Sequence, residues 1–137
     1  MNDFELHPRL AADTHLLGRL DLSLVLLHRA AGVPWYLLVP TVSAAETIDL
    51  AAAERERLNG EIQRLGEFVR AVHQPDRLNI AAIGNQVPQL HVHVIARHEH
   101  DPCWPGVVWG QLATEHRYTD AEVEARRAAL IEQLGLH

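Results

Sequence analysis

Four imidazoles crowd one stretch of the chain, "PQLHVHVIARHEHD" at 88–101: His91, His93, His98 and His100. Alternate side chains of a β-strand share a face. Gln89, His91, His93 and Ile95 would then line one side, and the wholly apolar set Leu90, Val92, Val94 and Ala96 the other. The apolar set must pack on a core, which leaves two imidazoles and a carboxamide to meet a ligand. Three readings compete. In the first, neutral imidazole acts as a nucleophile toward phosphorus and as an acid–base group near pH 7. The preceding "GNQVP" (84–88) would then supply a Gly turn, Gly84, with Asn85 and Gln86 as an anion cradle. In the second, His91 and His93 ligate zinc with His98 or His100. No carboxylate or thiolate stands at a usual ligand spacing, and Glu99, Asp101 and Cys103 fall in a loop. In the third, the two histidines sit on a half-exposed strand without a role. His98 and His100, past the strand, read as solvated.

The bulk composition narrows the setting. A chain of 137 residues, 47% hydrophobic and 22% charged, suits one compact domain spanning 1–137 rather than two domains or a disordered chain. The net charge is −6 and all twelve basic residues are Arg, a balance that argues against a nucleic-acid binder. Cys103 is the single cysteine, so no intrachain disulfide forms; it reads as an inert thiol in a reducing compartment. The start, "MNDFELHPRLAADTH", has neither a basic n-region nor an apolar h-region, and no apolar run is long enough to cross a bilayer. The expectation is a cytoplasmic protein with no membrane contact.

The elements that must position the histidines are legible from periodicity. A short helix or loop around Leu10–Ala12 leads into a strand approach. "DLSLVLLH" (21–28) and "VPWYLLVP" (33–40) flank a Gly-containing link and read as an antiparallel hairpin. Ser43 and Glu46 have the spacing of a capping box. A long helix follows over 51–72, where Leu58, Ile62, Leu65, Val69 and Val72 form one apolar stripe and charges fill the other face. Pro75 cannot continue it. "LNIAAIGN" (78–85) and "QLHVHVIAR" (89–97) are further strands, "DPCWPGVVWG" is irregular, and a last helix covers 120–134 from a start at Thr119 or Asp120. Strands, helix, strands, helix imply an α+β domain: an antiparallel sheet of about five strands with the long helix and a C-terminal helix packed against it.

At "QLHVHVI" the chain resembles the histidine triad (HIT) family of nucleotide hydrolases and transferases, whose signature alternates three histidines with apolar residues. The second and third histidines are His91 and His93; Gln89 replaces the first. "LVP" at 38–40, the long helix and the run Asn79–Gln86 follow the family's order, so the resemblance covers nearly the whole chain. The Trp104-Pro105 and Val107–Gly110 segment is similar to a bacterial branch of dinucleoside polyphosphate hydrolases.

The resemblance implies that His91 attacks the α-phosphorus of a nucleotide, hydrolysing a dinucleoside polyphosphate or a phosphoramidate through a nucleotidyl-histidine. His93 would contact the phosphate, and Asn79, Gly84, Asn85 and Gln86 would bind it. His28 stands near the position of a ribose contact, and Ser43 where some members carry a supporting histidine. No cofactor is required beyond Mg2+ travelling with the nucleotide, and a homodimer is implied, with the long helix or the Trp104–Trp109 segment as the contact. A neighbouring imidazolium would keep His91 neutral. Gln89 cannot be charged, so that contribution falls to His93 alone. The replacement weakens the charge-stabilising surroundings without removing the nucleophile, and the pocket should hold an imidazole at 89 with little strain. A nucleotide-binding protein of the same fold with little turnover, and the zinc protein, are the alternatives.

Overall fold

The computed structural model describes residues 3–137; Met1 and Asn2, the start of the segment read above for an export signal, lie outside it. The elements are α1 (Pro8–Asp13), β1 (Thr14–Arg19), β2 (Ser23–His28), β3 (Trp35–Pro40), a 3-10 turn (Thr47–Asp49), α2 (Ala52–His73), β4 (Arg77–Ala81), β5 (Val92–Arg97) and α3 (Asp120–Leu134). Every pairing is antiparallel, in the order β1-β2-β3-β5-β4. The α+β architecture with five strands is the one expected, and β2 and β3 form the expected hairpin. Among the described residues, no helix is long and apolar enough to cross a membrane.

β5 enters between β3 and β4 and is buried along its whole length. Its alternation feeds two cores on opposite faces of the sheet. Val92, Val94 and Ala96, with Leu90 just before them, join α2 and α3 residues such as Leu65, Phe68 and Leu130. Ile95 packs on the other face with Leu10 of α1, Trp35, Val87 and Val108.

Three boundaries differ from the periodic reading. β4 stops at Ala81 and β5 starts at Val92, so residues 82–91 leave the ladder and Gln89 and His91 precede the strand. Pro88 has no N–H to pair and Gly84 no side chain to pack, which suits a loop better than a sheet interior. The Ser43–Glu46 box caps no α-helix. Instead Glu54 accepts the Ala51 N–H at 3.0 Å and α2 begins at Ala52. Leu50 is buried in the core, and the extended backbone at Leu50 and Ala51 carries the chain from there into the helix. Along α2, Leu58, Leu65 and Val69 are buried as expected. Ile62 is half-buried, Val72 lies exposed at the edge, and Glu61 and Phe68 take inward places. Glu61 is inward because its carboxylate accepts the Leu22 N–H at 2.8 Å, a need that apolar periodicity does not register. α2 ends at Gln74 in the left-handed region (φ 48°), just before Pro75. α3 begins where expected, with Thr119 and Glu122 capping each other's main-chain N–H groups.

The stretch after β5 is fastened by a buried ion pair. Arg97 and Asp101 side chains are 2% and 4% exposed. The guanidinium donates to both carboxylate oxygens, at 2.8 and 3.1 Å, and also to Asn79 Oδ1 at 2.9 Å and the Gly106 carbonyl at 2.8 Å. Asp101 in turn accepts the N–H groups of His98, Cys103 and Trp104. Burial opposes the Asp101 charge, but the Arg97 bonds and these N–H groups outweigh it and hold the carboxyl down at about 2. Trp104 lies under the guanidinium, 5.8 Å from Arg97 Cζ, as an anchor. His98 is not free in solvent as expected: its Nε2 donates to the His73 carbonyl at the end of α2, at 2.9 Å. His100 is exposed. Asp101→Asn leaves Arg97 buried without its counter-charge, and breaking such a pair costs about 3–5 kcal/mol. Urea unfolding at pH 7 checks this; a loss under about 1 kcal/mol contradicts the anchoring role.

Candidate active site

A cavity of about 400 Å3 opens on the face of the sheet covered by α1. Each wall comes from a different element. α1 contributes Arg9, Leu10 and Asp13, the end of β2 contributes His28, and β3 contributes Trp35 and Leu37. The 82–91 loop contributes Ile83, Asn85, Gln86, Val87 and His91, β5 contributes His93, and the loop after β5 contributes Trp109 and Gly110. Volumes of this order hold small organic ligands.

The hydrogen bonds fix which ring nitrogen carries each proton. His91 Nδ1 lies 2.7 Å from the main-chain carbonyl of Gln89. A carbonyl only accepts, so Nδ1 donates, and in the neutral ring Nε2 keeps its lone pair. His93 is set the opposite way. The Trp35 indole, which only donates, gives its N–H to His93 Nδ1 at 2.9 Å, so the neutral ring carries its proton on Nε2. The two imidazole centroids are 4.9 Å apart with the planes near perpendicular, at 75°. The pair offers one bare ring nitrogen and one N–H.

His93 is also held neutral. Burial, then the neighbouring His91 and His28, push it down to about 3. The expectation that His93 supplies positive charge beside His91 is therefore corrected: it acts as a neutral donor. His28 stacks on Trp35 with centroids 4.1 Å apart and planes at 12°, and its Nδ1 accepts the Ala30 N–H at 3.1 Å. Burial, reinforced by Arg117 and opposed by Asp13, lowers its affinity for a proton as well. Trp109 closes the group edge-on, 5.2 Å from His93 and 6.1 Å from Trp35.

Of the expected site residues, His91, His93, His28, Asn85 and Gln86 meet at this cavity. Gly84 lines a smaller neighbouring groove with Ala45, Glu46 and Gln89. Gln89 does not share the face of His91 and His93. Its carboxamide accepts the His7 N–H at 2.8 Å and donates to the Glu5 carbonyl at 2.9 Å, on the N-terminal arm. Asn79 is taken up by Arg97 and lines no wall of the cavity. Ser43 is exposed and away from it. The four imidazoles of the zinc reading split into two pairs, and no three His, Cys, Asp or Glu among the described residues are grouped to hold a metal ion. Sequence reasoning missed Trp35, Arg9 and Asp13, and did not place Trp109 in the wall. Trp35 pairs with Ile95, two residues from His93, a relation visible only once β3 and β5 are neighbours.

The HIT domain model matches residues 9–100, about two thirds of the chain. A histidine triad protein from Bradyrhizobium japonicum is 43% identical, with a TM-score of 0.90 over 95% of this chain and 97% of that one. One from Marinobacter aquaeolei is 42% identical, with a TM-score of 0.90 over 98% of each. A histidine triad protein from Sinorhizobium meliloti is 34% identical, with a TM-score of 0.91 over 97% and 98%. Among curated proteins no sequence matches. With this domain model over two thirds of its length and relatives up to 43% identical along nearly the whole chain, the chain belongs to the histidine triad family.

Proposed function

We propose that this chain is a nucleotide hydrolase that opens a phosphoanhydride of a dinucleoside polyphosphate, or a nucleoside phosphoramidate, through a nucleotidyl group on His91. The observation that carries the reading is the bond from His91 Nδ1 to the Gln89 carbonyl, which leaves Nε2 as the free nucleophile. In the first step the Nε2 lone pair forms a bond to the α-phosphorus and the bond to the leaving oxygen or nitrogen breaks, a leaving amine taking up a proton from water as it departs. The ring becomes cationic, and its Nδ1–H bond to the carbonyl strengthens as charge develops. Stabilisation that grows toward the transition state is the kind that accelerates a reaction. His93 Nε2–H donates to a phosphate oxygen, and Asn85 and Gln86 add carboxamide contacts. In the second step water attacks phosphorus and gives up a proton to solvent, the P–N bond breaks and neutral His91 returns.

His28 on Trp35 forms a flat platform for the base or ribose. No resident metal takes part; Mg2+ enters with the phosphates. The protein is proposed to work as a homodimer, checked by light scattering against the 15.4 kDa chain mass. One observation favours binding with little turnover instead. Arg9, the one Arg or Lys among the lining residues, already sits 3.7 Å from Asp13. Turnover against a panel of nucleotides separates the two.

His91→Ala is expected to lower turnover at least about 10³-fold, because no other group replaces the nucleophile. With substrate labelled at the α-phosphate, a single turnover quenched in alkali should leave label on the peptide containing His91. Double displacement should retain configuration at phosphorus. Inversion, with solvent oxygen in the product and no adduct, defeats the covalent route.

Acid should weaken the fold through His93. The unfolded ring takes a proton below its ordinary 6.5, while the folded one resists down to about 3. The unfolded state therefore binds more protons in this window, and stability present above about 6.5 is lost progressively as pH falls toward 3. His73, lowered to about 4 by burial, Arg126 and His98, adds to the same trend. Unfolding free energy measured from pH 7 to 4 should fall less steeply in His93→Gln than in the parent. Equal slopes contradict a neutral His93.

A further inference from the structure

Residues 82–91 hold much of the cavity wall, yet they lie outside every strand and helix. Among the described residues, no turn or loop backbone–backbone hydrogen bond involves any of them. Val87 and Leu90 sink into opposite cores and give the segment apolar anchorage without direction. Its directed anchor is Gln89. The planar carboxamide meets a main-chain donor and a main-chain acceptor two residues apart on the N-terminal arm: His7 N–H and Glu5 C=O. Both bonds span more than eighty residues of sequence.

Two consequences follow from where those partners lead. His7 is the N-cap of α1, with its Nδ1 accepting the Arg9 N–H, and α1 carries Arg9, Leu10 and Asp13 over the cavity. The other end of the clamp is the peptide whose carbonyl sets the His91 tautomer. We infer that Gln89 is a positioning residue whose side chain ties the N-terminal arm to the loop, holding the carbonyl that keeps His91 in its nucleophilic tautomer and α1 over the cavity. Calling that tautomer nucleophilic rests on the function proposed above; the coupling of arm to tautomer does not.

A histidine in this place carries its donor and acceptor on opposite sides of a ring and on a shorter stem. It cannot meet Glu5 and His7 together, so Gln89→His should break the clamp rather than be tolerated.

The test reads the His91 ring directly, by 15N NMR of histidine-labelled protein, alongside kcat and KM. The parent should show His91 in the Nδ1–H form. Gln89→Ala should raise the Nε2–H population and lower kcat about tenfold, with KM moving less than about threefold. A pair of variants isolates the clamp. His7 has φ −53° and ψ 134°, which a proline ring accepts. His7→Pro and His7→Ala both lose the cap on Arg9, but only His7→Pro loses the N–H bound to Gln89. His7→Pro should shift the tautomer as Gln89→Ala does, and His7→Ala should not. If Gln89→Ala fails to fold, Gln89→Glu keeps the acceptor and drops the donor, and should show a smaller shift of the same sign. A His91 tautomer unchanged in Gln89→Ala and His7→Pro, or shifted equally by His7→Ala, overturns the inference even where stability falls. An inactive parent with the expected tautomer shifts would refute the proposed function and sustain the coupling.

Discussion

The bond between His91 Nδ1 and the Gln89 carbonyl is the constraint on which the site is built. Its length is 2.7 Å and its direction is unambiguous, because a carbonyl has no proton to give. The accepting carbonyl and the donating ring both precede β5, which begins at Val92. The bond therefore belongs to the 82–91 loop and not to the sheet ladder, and what places the loop places the ring.

The sheet supplies the second fixed point. β5 is antiparallel to both neighbours, and the β3–β5 register sets Leu37 opposite His93 and Trp35 opposite Ile95. The two-residue offset lets the indole reach along the strand face to His93 Nδ1. Trp35 and Ile95 are buried in the same core, so apolar packing holds the donor that fixes a polar ring. α2 makes this possible by carrying the chain from β3 across to β4, which leaves the space between them for β5. Behind the strand, Arg97 and Asp101 hold the loop that brings Trp109 against His93.

The sequence conveyed these features unevenly, for physical reasons. Long periodic segments were legible because burial of one face leaves its spacing in the chain: α2, α3, the hairpin and the core side of β5 all lie within a few residues of their expected places. His91, His93, Asn85 and Gln86 stood out as a local pattern of residue types, and all four line the cavity. Glu61 and Asn79 were misplaced because each answers a demand from elsewhere in the fold, a bare N–H at Leu22 and a buried guanidinium at Arg97. Gln89 misled for the opposite reason. It sits at the position of a triad histidine, so alternation assigned it to the substrate face, while its partners lie more than eighty residues away on the arm. His98 read as solvated because the carbonyl it meets belongs to the end of α2.

In the proposed reaction the site would meet a polyanion almost without fixed positive charge. His93 and His28 are held neutral by burial and by their imidazole and Arg neighbours, and Arg9 shares its charge with Asp13 in a largely solvated pair, of the kind worth little in water. What remains for the phosphates is a set of neutral donors: one imidazole N–H, oriented by the Trp35 indole, and two exposed carboxamides. Such dipoles bind the ground-state anion less strongly than a cluster of cations would, yet the fixed imidazole needs no reorganisation when charge shifts toward the leaving group. The one cation generated in the proposed reaction is the nucleotidyl-imidazolium of His91, and it forms where a carbonyl already points at its proton. In a chain of net charge −6 without lysine, attraction is thus concentrated at the reacting ring and appears as the bond to phosphorus forms.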